Sequence, residues 1–266
     1  MKSSSSRRNP RNAAIRTPDG LDQVYGVHAL ESLLERGEAP RELWVQQGAG
    51  SRLKDVVANA QVSGARIKEQ PREVLDQLTQ GAAHQGVVAF CAPLTPEGEE
   101  SLWLRLRAWQ APTPPLLLVL DGVTDVHNFG ACLRSADAAG AHGVIVAKDK
   151  AAPLNATVRK VACGAAEVVP VYQVTNLSRT LAKLKDAGVW ITGTAGEAEA
   201  SVFEIDMTGP TALVMGAEGK GMRRLTREAC DNLAKLPMAG QVSSLNVSVA
   251  TGICLFEAVR QRQLAS

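Results

Sequence analysis

The stretch LLLVLDGVTDVHNFGACLRSADAAGAHGVIVA, residues 116–147, contains the pattern that decides the fold. Its two apolar runs, 116–120 and 143–147, are typical of strands that are covered on both faces in a parallel sheet. Between them, residues 128–139 predict a helix that ends at Gly140. A strand, a helix and a second strand form a βαβ unit, so the sequence predicts an α/β fold with a mostly parallel sheet.

Helical and strand signals alternate in the same way on both sides of this unit. Downstream, the sequence predicts helix 155–163, strand 167–172, helix 176–188, strands 189–195 and 211–218, helix 222–231, strand 234–238 and a final helix from about 244 to 264. Upstream, it predicts helices 26–37, 51–64 and 71–78 and strands 41–47, 65–70 and 86–92. Ser51 is the predicted cap of the second upstream helix.

Four segments follow from this pattern: a disordered basic leader (1–21), a smaller N-terminal α/β domain (22–92), a proline-rich linker (93–114) and the parallel-sheet domain (115–266). The linker contains the segment SLWLRLRAWQ, residues 101–110. We expect this segment to form a helix that packs on the neighbouring domain. The alternative is an apolar patch that docks onto one of the two domains.

The composition excludes several classes of protein. No stretch approaches the roughly 20 apolar residues that span a bilayer, which predicts a soluble protein that does not enter a membrane. The five cysteines form no CxxC pair, and their odd number argues against a disulfide framework, so we expect thiols in a reducing compartment. The four histidines lie far from any cysteine pair with ligand spacing, so no metal site is expected. Aromatic residues make up only 4% of the chain, too few for a binder that relies on rows of stacked rings.

The positive charge of the chain is concentrated at its start. Residues 1–20 contain five cations and one acid, which leaves 24 cations and 26 acids in the other 246 residues. The cations are Lys2, Arg7, Arg8, Arg11 and Arg16. A basic arm that contacts RNA phosphates is the favoured interpretation, ahead of a solvated leader and an organelle transit peptide.

Three loops that follow predicted strands are unusually rich in polar residues and glycine, and such loops hold the ligands of open α/β sheets. The first contains Asn128 at a helix start and Arg134 on the helix itself. Asn128 could be an ordinary N-cap. Arg134 lies among small residues that allow close helix packing, so it is either an interface residue or a site residue.

The second loop, LVMGAEGKGM (213–222), has glycine at 216, 219 and 221, where the backbone can turn sharply or approach a ligand closely. It fits neither a phosphate loop nor GxGxxG. Glu218 stands between these glycines, and a solvated turn is the competing explanation for it.

The third loop, LPMAGQVSSLNVSVATG (236–252), places Ser243, Ser244 and Asn246 ahead of an apolar helix. Helix capping accounts for one of these side chains but not for all three. We therefore expect the other two to contribute to a binding site.

Together the three loops resemble, in order and spacing, the signature motifs of the SpoU (TrmH) branch of the knotted methyltransferases. The residues that carry the resemblance are Asn128, Gly130, Arg134, Gly216, Glu218, Gly221, Pro237, Met238, Gly240, Ser244, Leu245 and Asn246. The similarity extends over about residues 22–264, and the N-terminal unit resembles the folds of RNA-binding ribosomal proteins.

The resemblance implies a C-terminal domain tied into a deep trefoil knot, with S-adenosyl-L-methionine bound in the loops that form it. The implied cofactor-binding residues are Thr194, Gly216, Leu236, Met238 and Leu245. It also implies a cytoplasmic homodimer that associates through the C-terminal domain.

The implied reaction is methylation of a ribose 2′-hydroxyl on a guanosine of 23S ribosomal RNA, in the peptidyl-transferase region. The implied catalytic residues are Arg134, Asn128, Glu218, Ser244 and Asn246. Arg134 would stabilise the developing alkoxide and bind phosphate, because a guanidinium stays protonated and is a poor base.

Two alternatives remain. One is a tRNA guanosine-2′-O-methyltransferase, although such relatives generally lack an N-terminal domain of this type. The other is a non-catalytic RNA-binding or assembly protein that retains the methyltransferase fold. A nucleotide-dependent oxidoreductase or NTPase is excluded by the missing phosphate-loop patterns.

Overall fold

The computed structural model describes residue 15 and residues 17–265. Within them the chain forms a four-stranded sheet and an eight-stranded sheet. The basic arm predicted at the start of the chain lies largely outside the described residues, and this includes all five of its cations, Lys2, Arg7, Arg8, Arg11 and Arg16.

The smaller sheet belongs to the N-terminal unit. In chain order its elements are β1 (Asp22–Tyr25), α1 (Val27–Glu35), β2 (Glu42–Gln46), α2 (Lys54–Val62), β3 (Arg66–Gln70), α3 (Arg72–Leu78) and β4 (Val87–Cys91). The strand order is β1-β4-β2-β3, in which only β2 and β3 are parallel. The sequence missed β1, which has four residues, and the predicted cap at Ser51 is wrong. Ser51 instead begins a short 3-10 turn that has no side-chain cap.

The larger sheet takes up the rest of the chain. In chain order its elements are β5 (Glu97–Gly98), α4 (Glu99–Arg107), β6 (Leu116–Asp121), α5 (Val126–Ala138), β7 (Gly143–Ala147), α6 (Ala156–Ala162), α7 (Ala165–Val168), β8 (Val171–Val174), α8 (Leu177–Asp186), β9 (Trp190–Thr194), β10 (Ala200–Ser201), β11 (Thr211–Gly216), α9 (Arg224–Glu228), β12 (Asn232–Lys235) and α10 (Val247–Ala265).

The strand order of this sheet is β10-β12-β9-β11-β6-β7-β8-β5, and every described pairing in it is parallel. The predicted α/β fold with a mostly parallel sheet is confirmed. The sequence pattern does not predict the order of the strands. In the structure β11 lies between β6 and β9, although both of these strands precede it in the chain. The carboxyl ends of β9, β11 and β6 therefore meet at one edge.

Both faces of the larger sheet are covered, as its continuous apolar strands predict. Along β6 the even-numbered residues Leu118 and Leu120 enter the hydrophobic cluster beneath α5 and α10. The odd-numbered Leu117 and Val119 enter a second cluster beneath α4 and α8. In the described part of the chain, no helix has the length and hydropathy needed to cross a bilayer.

The proline-rich segment 93–114 is joined to the larger sheet. Its strand β5 pairs with β8 at the sheet edge. Its helix α4 buries Leu102 completely, in the cluster that contains Leu117 and Tyr172. The expectation of a helix packed on the neighbouring domain is confirmed.

Several predicted element boundaries differ from the structure by a few residues, and two of them differ for a clear local reason. Residues 167–168 lie in α7 rather than in a strand, because Glu167 turns inward there to meet Arg159, and β8 begins only after Pro170. The last helix begins at Val247 rather than near Ser244, because the Asn246 side chain accepts from the Ser248 N–H and caps it.

Arg159, on α6, contacts the smaller sheet and is itself held by a buried ion pair. Its Nε and Nη2 donate to the two carboxylate oxygens of Glu167 at 2.5 and 2.9 Å. Its Nη1 donates to the Ala92 carbonyl at 3.0 Å and lies 3.6 Å from Asp22 on β1. Both members of the pair are buried, so neither can exchange its partner for water without a large loss of energy.

We expect Arg159→Ala to destabilise the protein by about 3–5 kcal/mol, because it leaves the Glu167 carboxylate buried without a counter-charge. Urea unfolding followed by circular dichroism measures the change. Arg224→Ala is the matched control, since Arg224 pairs with Glu228 at the surface and its loss should cost at most about 0.5 kcal/mol. A loss below about 1 kcal/mol for Arg159→Ala would contradict the structural role of this pair.

Candidate active site

The helix α5 begins two residues earlier than the sequence predicts. Asp125 is its N-cap, and the Asp125 side chain accepts from the Asn128 N–H at 2.8 Å. The interpretation of Asn128 as a cap is therefore wrong, and its side-chain amide is free to make other contacts. Gly130, two residues after Asn128, lies where an added Cβ would come within 2.7 Å of the Val161 side chain, so α5 and α6 pack closely.

The glycine-rich loop after β11 folds back on itself. Ala217 and Gly221 exchange backbone hydrogen bonds of 3.1 and 2.8 Å. A Cβ on Gly216 would lie 2.3 Å from backbone atoms of Gly221, and Gly219 and Gly221 have φ of +73° and +65°. These are conformations that favour glycine, so the three glycines make the loop tight enough to hold Glu218 at its tip.

Three side chains from distant parts of the chain meet at this tip. Asn246 donates from Nδ2 to Glu218 Oε1 at 2.6 Å and to Asn128 Oδ1 at 2.9 Å. Asn128 donates from Nδ2 to the same Glu218 oxygen at 3.2 Å. The Oδ1 atom of Asn246 accepts from the backbone N–H and the hydroxyl of Ser248, and it thereby caps α10. Each residue is thus held by an element terminus as well as by its two neighbours.

A cavity of about 780 Å³ opens beside this cluster, at the carboxyl ends of β9, β11 and β12. All five residues predicted to bind the cofactor line it, together with three of the predicted catalytic residues: Thr194, Gly216, Leu236, Met238, Leu245, Glu218, Ser244 and Asn246. Its wall combines small and apolar residues with polar and charged ones such as Lys220, and such a mixture is found in sites for small organic cofactors. Ser244 is exposed and lines the cavity beside Leu245.

Arg134 does not line the cavity. It is exposed on α5, and its Nη1 donates to the thiol sulfur of Cys163 at 3.6 Å. The structure therefore brings together Asn128, Glu218 and Asn246, places Ser244 on the same cavity, and leaves Arg134 on another side of α5.

Two ion pairs beside the glycine loop were not predicted. Asp121, the fully buried last residue of β6, accepts from the Arg223 backbone N–H at 2.7 Å and from its Nε at 2.5 Å. Arg227 forms an ion pair with Glu197 at the cavity rim. An acidic residue that ends an apolar strand was the available signal for Asp121, but its partner lies 102 residues away. No described residues form a cluster of three or more metal-ligand side chains.

Comparison with known proteins identifies the family of the chain. The family model of the SpoU rRNA Methylase family matches residues 115–256, and a model for RNA 2′-O ribose methyltransferase substrate binding matches residues 23–97. A protein of Pseudomonas putida named 23S rRNA (guanosine-2′-O-)-methyltransferase RlmB is 56% identical over 92% of this chain and 98% of its own length.

Two further proteins are similar over most of their length. The Escherichia coli K12 protein of the same name is 54% identical, over 91% of this chain and 99% of its own. The crystal structure of the SpoU methyltransferase AviRb from Streptomyces viridochromogenes, in complex with the cofactor AdoMet, is 26% identical and superposes with a TM-score of 0.73, covering 95% of each chain. These matches cover both sheets and the loops of the larger sheet that form the site. The chain therefore belongs to the SpoU rRNA methylase family.

Proposed function

We propose that this protein transfers a methyl group from S-adenosyl-L-methionine to the ribose 2′-hydroxyl of a guanosine in 23S ribosomal RNA. The observation that carries the proposal is the contact of Asn128, Glu218 and Asn246 at the mouth of the cavity. Relatives of 54–57% identity over more than nine tenths of the chain bear the name of this activity. The tRNA enzyme and the non-catalytic protein receive no comparable support.

The cavity residues fit the cofactor. The loops after β9, β11 and β12 offer backbone N–H and C=O groups, beside the apolar side chains of Leu236, Met238 and Leu245. Such a wall binds an adenine ring by its faces and its edge without needing charge. When bound, S-adenosyl-L-methionine supplies an electrophilic methyl group on a sulfonium. Thr194 donates its hydroxyl to the Val214 carbonyl, which holds the β9 loop against β11.

The polar cluster orients the acceptor ribose. Glu218 Oε1 already accepts from Asn128 and Asn246, so these three side chains present a fixed pattern of donors and acceptors beside the cavity. Alignment of the 2′-oxygen with the methyl group is the main contribution that a preorganised site makes to such a displacement. Ser244 supplies a further hydroxyl on the same wall.

Arg134 acts on the bound RNA rather than on the cofactor. Its guanidinium keeps its proton, so it stabilises negative charge on the 2′-oxygen and binds a neighbouring phosphate rather than removing the proton. It lies six residues after Asn128 on α5, about 9 Å along the helix axis. To act there, the guanidinium turns from Cys163 towards the bound RNA.

The active form is a homodimer that uses α10. Val249, Ile253 and Phe256 repeat at helical spacing, and 50%, 36% and 50% of their surfaces are exposed. The opposite side of α10 buries Cys254, Leu255 and Ala258 in the core. An apolar stripe of this kind, next to the cavity residue Leu245, suits a second copy of the chain.

The assignment extends to the domains and to the location of the protein. Residues 22–92 form the RNA-binding domain, 93–114 the linker, and 115–266 the methyltransferase domain with the deep trefoil knot of its family. Support for the knot comes from β11, which lies between earlier strands, and from the 236–246 segment, whose Asn246 reaches back to the β11 loop. We infer a cytoplasmic location from the proposed ribosomal RNA substrate and from the five free thiols.

We expect Arg134→Ala to lower kcat for methylation of a 23S rRNA transcript by at least about 100-fold, because it removes the charge that stabilises the developing alkoxide. The Kd for S-adenosyl-L-methionine, measured by calorimetry, should change by no more than about threefold. Arg179→Ala, at an exposed arginine on α8, is the control that should retain activity. Equal losses of turnover and cofactor affinity in Arg134→Ala would show that Arg134 is structural.

We expect Phe256→Asp to convert the dimer into a monomer, because a carboxylate would have to be desolvated at the centre of the proposed interface. Light scattering coupled to size-exclusion chromatography measures the mass. Phe203→Asp is the matched control, because Phe203 is also 50% exposed but lies outside α10, and this variant should stay dimeric. A Phe256→Asp protein that remains a dimer would place the interface elsewhere.

A further inference from the structure

A groove of about 270 Å³ runs between the N-terminal domain and the methyltransferase domain, separate from the cofactor cavity. One wall is formed by β1, the start of α1 and the loop 82–85, and the other by α6 and the turn that follows it. The residues on which the inference rests are Gln23, Tyr25, His28, Gln85, Lys160 and Cys163.

The groove has a fixed shape. Arg159 joins its two walls through the buried contacts to Ala92 and Asp22, and Lys160 donates to the Gln80 side chain across the same joint at 3.2 Å. Gln85 and Cys163, which line the groove, have φ of +53° and +52° although neither is glycine. Strained conformations of this kind persist where the surrounding structure holds them, and they concentrate at functional sites.

The lining combines a half-buried aromatic ring with unused polar groups. The ring is that of Tyr25, which packs partly against the hydrophobic cluster that contains Trp44 and Phe90 and also lines the groove. The Tyr25 hydroxyl and the Gln23 side chain have no hydrogen-bond partner among the described residues. Gln85 accepts from the Val27 N–H through Oε1, which leaves its amide N–H groups without a partner in the described chain. His28 contacts Glu31 through Nδ1 only. A ring for stacking and amides for an edge are the groups that recognise a nucleobase.

The groove lies next to the RNA side of the proposed active site. Cys163 lines the groove and accepts the hydrogen bond from Arg134. Because Asn128 and Arg134 are about 9 Å apart along α5, a nucleotide in the groove is distinct from the one whose ribose meets the Asn128 cluster. Lys160 adds a cation at the groove that suits an RNA phosphate.

We propose that the interdomain groove binds one unpaired nucleotide of the RNA substrate next to the methylated guanosine, with its base on Tyr25 and its polar edge on Gln85. The inference rests on the proposed function and adds a determinant of substrate choice to it. Sequence-specific RNA recognition generally uses unpaired bases that are turned out of the stack. A joint between two domains, fixed by Arg159, can hold such a base against the methyltransferase site.

The first test compares Tyr25→Ala, Tyr25→Phe and Gln85→Ala with the wild type in methylation of a 23S rRNA transcript. Tyr25→Ala should raise KM for RNA about tenfold, as expected when one stacking ring is removed, while kcat and the Kd for S-adenosyl-L-methionine stay within about threefold. Tyr25→Phe keeps the ring and should stay within about threefold of the wild-type KM. Gln85→Ala should also raise KM. Because this change removes the hydrogen bond to the Val27 N–H and places alanine at a positive φ, its melting temperature is measured as well.

Trp190→Ala is the control for loss of an exposed aromatic ring elsewhere, and it should leave KM unchanged. Melting temperatures show whether Tyr25→Ala and Gln85→Ala are folded, and the alkylation test below decides the question if they are not. A KM within twofold of the wild type for Gln85→Ala and for a folded Tyr25→Ala would overturn the proposal.

The second test uses Cys163 as a reporter. It is the exposed cysteine, whereas burial raises the pKa of Cys91, Cys230 and Cys254 to about 12 and of Cys132 to about 11. N-ethylmaleimide at neutral pH should therefore modify Cys163 first. The 23S rRNA transcript should slow this reaction at least about tenfold, and S-adenosyl-L-methionine alone should not.

Equal alkylation rates with and without RNA would overturn the groove as an RNA site. Cys163→Ser should remove the fast phase and confirm the position of the label. Protection is measured without methyl transfer, so its outcome is independent of the proposed activity. A wild type that methylates the transcript but shows neither protection nor the KM effects would refute the groove and leave the proposed function standing.

Discussion

The carboxylate oxygen Oε1 of Glu218 is the point on which the site depends. It accepts hydrogen bonds from Asn128 and Asn246 and so connects the start of α5, the loop after β11 and the start of α10. Asn128 lies 90 positions before Glu218 in the chain, and Asn246 lies 28 positions after it. Because Asn246 also caps α10, the same contact fixes where the last helix begins and closes one side of the cavity.

The glycine loop makes this convergence possible. Gly216 lets the backbone of Gly221 come within contact distance, and Asp121 holds the far end of the loop through Arg223. The loop is therefore fixed at both ends by backbone and by a buried carboxylate before any ligand arrives. A site that is built in this way loses little order when it binds, which is what alignment of two reacting groups requires.

The two proposed binding regions lie in different parts of the molecule. The cavity that we propose for the cofactor lies within the larger unit, among loops that end parallel strands, where a ligand site is expected. The polar groove lies where this domain meets the smaller one, and Arg159 crosses the joint to contact Ala92 and Asp22. Arg134 stands between the two regions and contacts Cys163 on the groove side. Its position suits a residue that acts on RNA rather than on the cofactor.

The sequence by itself determined most of the element types, the parallel sheet and the three loops that contain Asn128, Glu218 and Asn246, because periodicity, glycine and apolar runs are local properties. It did not reveal that Asp125 rather than Asn128 caps α5, because both residue types are good N-caps. Only the fold brings Glu218 and Asn246 to Asn128, whose side chain bonds them instead. The strand order, the Asp121–Arg223 pair and the groove beside Tyr25 were decided by the tertiary structure alone. Each of them depends on contacts between residues that are far apart in the chain, and such contacts exist only once the sheet has placed its strands.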